Sequence, residues 1–168
     1  MKNTPLPTGL QYTPLTKKAL ALCWAAHKDQ QDKSGLPYFI HPLHLAEQMD
    51  TEEAICTALL HDVLEDSPLT LSDLRQAGFP PAVLHALSLL CHHPDIPYLD
   101  YIAALRHDPL ARRVKLADLA HNSDLSRLDT VTPADLARRE KYRRAQARLL
   151  ATEPSPPQTE NEPEDASF

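Results

Sequence analysis

Near the middle of the chain a histidine and three carboxylates follow one another in His61-Asp62-Val63-Leu64-Glu65-Asp66. The residues leading into them are apolar nearly all round: Ile55, Cys56, Ala58, Leu59 and Leu60, continued by Val63 and Leu64. A helix apolar on every face is a buried helix, and one is expected from the Asp50-Thr51-Glu52-Glu53 capping signal to about Asp66, where Ser67-Pro68 stops it. At i, i+4 spacing His61 lies over Glu65 and Asp62 over Asp66, so the four form one polar wedge at the helix end. Buried charge must be paired or must hold a metal. Adjacent imidazole and carboxylate suit Mn²⁺, Fe²⁺ or Zn²⁺. The same pattern equally fits a helix end turned to solvent, with its acids simply exposed.

Two ligands do not complete a metal shell. Candidates for the rest are His41, at the start of a short helix over 41–49, His44 one turn on, and Asp118. Asp118 sits in Val114-Lys115-Leu116-Ala117-Asp118-Leu119-Ala120-His121-Asn122, where Lys115, Asp118 and Asn122 share one face at i, i+3, i+7. An Asp in so apolar a helix needs a partner. A metal is one and Lys115 is another.

The elements that must position these groups read as helices almost throughout. Apolar residues recur at helical spacing from Leu15 to Gln30, and a polar loop with Ser34-Gly35 and Pro37 follows. Beyond the buried helix, Thr70 and Asp73 open a short helix ending at Gly78, and Pro80-Pro81 opens another to about His92. Pro97, Asp108-Pro109 and Thr132-Pro133 each place proline in a first helical turn. No segment alternates with period two. The fold class is therefore all-α, about eight helices in one domain over 13–151. A loose N-terminus over 1–12 precedes it, and a Pro- and Glu-rich tail over 152–168, expected to be disordered, follows.

Composition narrows the function classes. The chain has 168 residues, 42% of them hydrophobic, with only three Gly against 16 Pro. That is enough apolar material for one core and argues against Gly-rich phosphate loops. Cys23, Cys56 and Cys91 form no CxxC pair and lie in apolar helical stretches, which fits buried reduced thiols and a cytoplasmic protein. The formal charge is −6, of which the tail carries −5, leaving −1 on the domain. That balance offers no footprint for nucleic acid. No apolar run is long enough to span a membrane, and no signal peptide opens the chain.

His41-Pro42-Leu43, His61-Asp62 with Glu65-Asp66, Lys115-Leu116-Ala117-Asp118 and His121-Asn122, in that order and near that spacing, resemble the HD-domain metal-dependent phosphohydrolases. Within them the chain resembles the hydrolase domain of RelA/SpoT-type proteins and the small stand-alone Mesh1-like alarmone hydrolases. Ala26-His27 with Gln30, and Ser34-Gly35-Leu36-Pro37-Tyr38, add to the likeness, which covers about residues 15 to 130. The resemblance implies one Mn²⁺ held by His41, His61, Asp62 and Asp118, with Glu65 and Asp66 activating a water. It implies release of pyrophosphate from the 3′ position of a guanosine tetra- or pentaphosphate-type alarmone. Lys33, Ser34, Tyr38, Lys115 and Asn122 would face that small-molecule nucleotide.

The chain departs from the family at two places. A basic pair is usual before Ser34-Gly35, and here Asp32-Lys33 stands there. A basic residue is usual two positions after His121-Asn122, and here it is Asp124. If both acids replace phosphate- or base-facing cations, Lys33, Lys115 and Arg127 are left to compensate. The rival readings are a hydrolase of another phosphorylated nucleotide (an adenosine alarmone, NADPH or a nucleoside monophosphate) and a degenerate nucleotide-binding signalling domain. His92-His93 reads as a helix C-terminus, His27 as a packed residue or pocket wall, and the Arg- and Lys-rich last helix as a solvated face.

Overall fold

The structure, a computed structural model, describes residues 9–151. Nine α-helices and one 3₁₀ turn lie among them: α1 Pro14–His27, α2 Ile40–Ala46, α3 Glu52–Leu60, α4 Val63–Asp66, α5 Leu71–Gln76, α6 Pro81–Leu90, α7 Tyr98–Leu105, α8 Pro109–Ser123 and α9 Pro133–Leu150, with the 3₁₀ turn at Leu125–Arg127 before α9. The described residues hold no strand, only an isolated bridge between Gln31 and Pro37. No helix among them is long and apolar enough to cross a membrane.

α3 is the hub. Every residue from Ala54 to Leu60 is buried, and the helix packs against α1, α2, α6 and α8. An apolar stretch with no polar face has no other stable place. α9 lies along α7 and α8 and closes the core with Ala145 and Leu149, both fully buried.

Helix starts follow the local chemistry. Thr13, Thr70 and Thr132 each close a reciprocal box with the residue at the third helical position, Thr16, Asp73 and Asp135. At α3 the box expected from Glu52 and Glu53 does not form. Thr51 is the cap, its hydroxyl accepts from the Ala54 N–H, and Ala54 has no side chain to reach back.

The buried helix does not run unbroken to Asp66. It stops at Leu60, turns at His61 and Asp62, and restarts as α4. The His61 imidazole donates through Nδ1 to the Ala58 carbonyl at 2.7 Å, the oxygen an Asp62 N–H would use in a continuing helix. The Asp62 carbonyl in turn accepts from the Glu65 and Asp66 N–H groups. This break makes the ninth helix.

Residues 9–12, read as loose, make contacts. Leu10 packs against the core and Gln11 Nε2 donates to the Asp50 carbonyl. The rest of the N-terminus and the tail over 152–168 lie outside the described residues. Cys23 and Cys56 are buried and their thiols pushed up to about 12 by burial, whereas Cys91, at the end of α6, is only half-buried.

Candidate metal centre

Three elements converge on one buried spot. The first turn of α2 supplies His41, the turn between α3 and α4 supplies His61 and Asp62, and the middle of α8 supplies Asp118. His61 Nε2 lies 2.9 Å from Asp62 Oδ2, and His41 Nε2 lies 4.0 Å from the same oxygen. One ligand atom from each of His41, His61 and Asp62 falls within 4.8 Å of the others, the one such group of His, Cys, Asp and Glu among the described residues. Asp118 Oδ1 stands 3.2 Å from His41 Nε2 and 3.9 Å from His61 Nε2.

The four residues fit a divalent cation. His61 Nδ1 is spent on the Ala58 carbonyl, so in the neutral imidazole Nε2 carries the lone pair, and that buried nitrogen has no hydrogen-bond partner. An acceptor of this kind, aimed at two carboxylates, is what a borderline metal completes. The carboxylates favour positive charge at this spot, a proton on the imidazole or a cation in its place. Burial pulls the His61 imidazole down, but the Asp62 and Asp118 charges outweigh it and hold it up at about 9. Burial pushes Asp62 up, yet His61 and the Tyr38 hydroxyl bring it down to about 2. The carboxylates are poised to stay ionised.

Asp118 uses its two oxygens separately. Oδ2 accepts from Lys115 Nζ at 2.8 Å, and Oδ1 accepts from Asn122 Nδ2 at 2.6 Å while facing His41. Of the partners foreseen for it, Lys115 is in place, and Asn122, on the same helix face, supplies a second hydrogen bond. Burial raises the Asp118 carboxyl, but Lys115 and the imidazoles carry it well below the carboxylate range. Lys115 is driven well above its own range, chiefly by Asp118 against burial.

The remaining residues singled out in the sequence border the cluster. The Tyr38 hydroxyl donates to Asp62 Oδ2. Glu65 and Asp66 are not among the mutually close ligand atoms. Glu65 Oε1 accepts from the His92 N–H at 3.1 Å, and Asp66 Oδ2 lies 3.8 Å from His27 Nδ1. His27 is fully buried beside Tyr38, as expected of a packed residue. His44 is not one of the mutually close ligands; its ring lies against that of His121, tilted by 34° with centroids 4.5 Å apart.

A pocket of about 350 Å³ opens beside the cluster, and its walls include Lys33, Ser34, Tyr38, Asn122 and Tyr142. Asp32 and Asp124 line it as well, and both carboxylates are engaged within the fold. Asp32 Oδ1 accepts from the Ser34 N–H and hydroxyl and from the Leu36 N–H, an arrangement completed by Gly35 at φ 79°. Asp32 Oδ2 accepts from Arg127 Nη1 at 3.2 Å. Asp124 caps the 3₁₀ turn through the Ser126 N–H and hydroxyl. Of the three cations expected to compensate, Arg127 is held by Asp32 and Lys115 by Asp118, so only Lys33 is left without a partner.

Sequence reasoning missed two things here. The Asp32–Arg127 pair spans 95 positions and carries no local signal. His121, adjacent to the noted Asn122, sits Nδ1 to Nδ1 with His41 at 2.7 Å. Burial, with His41 and Arg127 nearby, pushes its imidazole down to about 4.

An all-α bundle in which α2, the turn between α3 and α4, and α8 gather two His and two Asp has the HD-type helical fold expected from the sequence. No family model matches the chain. It is similar to a GTP pyrophosphokinase of Myxococcus xanthus, 33% identical over 139 residues, which are 69% of this chain and 18% of that protein. It is likewise similar to the bifunctional (p)ppGpp synthase/hydrolase SpoT of Escherichia coli K12, 31% identical over 121 residues, 63% of this chain and 17% of that one. The chain thus spans less than a fifth of these curated relatives. Its fold is shared with a solved metazoan ortholog of SpoT that hydrolyses ppGpp: TM-score 0.63, 21% identity, 83% of this chain and 85% of that one.

Proposed function

We propose that this chain is a metal-dependent phosphohydrolase that removes pyrophosphate from the 3′ position of a guanosine tetra- or pentaphosphate-type alarmone. The observation that carries the reading is the meeting of His41, His61, Asp62 and Asp118 at the edge of a pocket lined by Lys33, Ser34, Tyr38 and Asn122. The names of the curated relatives and the shared fold support it. Residues 13–151 are the catalytic unit, and Mn²⁺ is the metal assigned to the site.

His41, His61, Asp62 and Asp118 would hold the cation, which when bound would supply a water of lowered pKa and positive charge for the phosphoryl group. Tyr38, donating to Asp62, keeps that carboxylate ionised and oriented. Lys115 and Asn122 do the same for Asp118. Glu65 and Asp66 flank the cluster as proton acceptors, and Lys33 meets phosphate from the pocket rim.

One observation favours a second reading. Asp32, Asp124 and Asp135 balance Lys33, Arg127 and Arg138 around the pocket, and Asp135 is paired with Arg138. A wall so balanced suits a nucleotide with fewer phosphates, such as a nucleoside monophosphate or NADPH. The deciding experiment measures pyrophosphate and phosphate release by the Mn²⁺-loaded protein over a panel of nucleotides. Pyrophosphate from guanosine tetraphosphate alone supports the first reading, and phosphate from a less charged nucleotide supports the second. Release from no nucleotide defeats both.

A further inference from the structure

The two histidines of the cluster are anchored differently at the nitrogen that faces away from it. His61 donates Nδ1–H to a backbone carbonyl, which can only accept, so its tautomer is fixed. His41 instead meets His121, Nδ1 to Nδ1 at 2.7 Å, the two rings nearly parallel at 25° with centroids 4.9 Å apart. At that distance one nitrogen of the pair carries the hydrogen and the other accepts it. His41 Nε2 faces Asp118 at 3.2 Å. It can offer a lone pair to a cation only if the hydrogen of His41 sits on Nδ1 and His121 Nδ1 accepts it.

We propose that His121 is a positioning residue for the metal centre: it accepts the Nδ1 hydrogen of His41 and so keeps His41 Nε2 free to bind a cation. The hydrogen of His121 is then on Nε2. His121 is itself held in place from several sides. Its carbonyl accepts from Arg127 Nη2 at 3.2 Å and from the Asp124 N–H at 3.3 Å, and its ring lies against that of His44. Because Arg127 is anchored by Asp32, the pocket loop, the 3₁₀ turn and His41 form one connected set. Such outer partners commonly set a ligand's tautomer and are worth 10- to 100-fold in metal affinity.

The inference rests on the metal reading of the cluster, and its test separates the two. Mn²⁺ affinity is titrated for the wild type, His121→Leu, His121→Gln and Asp62→Ala, with a melt of each metal-free variant as a check on folding. His121→Leu, near in volume but without an acceptor, should bind Mn²⁺ about 10- to 100-fold more weakly. His121→Gln, whose amide oxygen still accepts, should recover most of the loss. Asp62→Ala should lose binding outright. If Asp62→Ala binds as the wild type does, the metal reading fails. If Asp62→Ala loses metal while His121→Leu does not, or if Gln is no better than Leu, only the role of His121 fails. Should the Leu variant not fold, ¹⁵N spectra of the wild type loaded with diamagnetic Zn²⁺ decide: a protonated Nδ1 on His41 is expected, and an unprotonated one overturns the inference.

Discussion

Two carboxylates can sit one turn from the His/Asp cluster and still differ in what they do. Glu65 already accepts a backbone N–H from His92, whereas Asp66 has only His27 Nδ1 near it, at 3.8 Å. Glu65→Gln keeps an oxygen for that bond and Asp66→Asn keeps its shape, so both variants should fold and retain metal. Whichever acid takes the proton should lose roughly 10² to 10⁴ in kcat, read by single-turnover release with metal content measured alongside. Full activity in both variants would remove these residues from the mechanism. Asp118 carries a second burden, since it neutralises the buried Lys115 ammonium. Asp118→Ala should therefore lower stability of the metal-free protein by about 3–5 kcal/mol, and adding Lys115→Met should restore much of it; urea unfolding in chelator measures both. At this scale the sequence was most legible. His61, Asp62 and Asp118 stood out because charge in apolar helices has few physical excuses. His121 did not, because its place beside His41 depends on α2 and α8 meeting across 80 positions.

Helices were readable where proline and capping residues mark them, as at Thr70, Asp108 and Thr132. The break between α3 and α4 was not. Hydrophobic periodicity runs straight through 61 and 62, and it is a side chain, the His61 imidazole on the Ala58 carbonyl, that diverts the backbone. The loop between α1 and α2 was likewise seen as a loop, but its organiser was read as a lost cation. Asp32 ties that loop to itself and to Arg127. Burial pushes its carboxyl up, but the Ser34 and Leu36 bonds and Arg127 hold it below the ordinary 3.8. A depressed folded-state pKa means that stability is gained above the unfolded value and lost as the pH falls through the folded one. The melting difference between wild type and Asp32→Asn should hold steady from pH 7 to 5, then close as the pH drops below about 3.8. A difference that persists undiminished at pH 2 would show that the charge of Asp32 contributes nothing.

For the molecule as a whole, the question is how a domain nearly neutral in charge would grip the polyphosphate proposed as its substrate. Composition gave the balance, −6 overall, but not its arrangement, which depends on which charges are already committed. Around the pocket the acids are occupied within the fold, Asp32 by Arg127 and its own loop, Asp135 by Arg138, Asp124 by Ser126. The two acids at family-cation positions are therefore not equivalent. Asp32→Arg would remove four hydrogen bonds and set two guanidiniums against each other, so it should lower the melting temperature and raise KM for guanosine tetraphosphate. Asp124 is exposed and caps only a short 3₁₀ turn. Asp124→Arg removes one negative charge at the rim and adds a positive one, at the expense of a minor cap. A charge-assisted contact to phosphate is worth roughly 1.5–3 kcal/mol, less where salt screens it. KM for guanosine tetraphosphate should then fall about tenfold or more, with kcat unchanged because the group binds and does no chemistry. The gain should shrink as ionic strength rises and be smaller for a nucleoside monophosphate. Steady-state kinetics at two salt concentrations test it, and an Asp124→Arg variant with unaltered KM for both nucleotides would place that rim outside the path of the substrate.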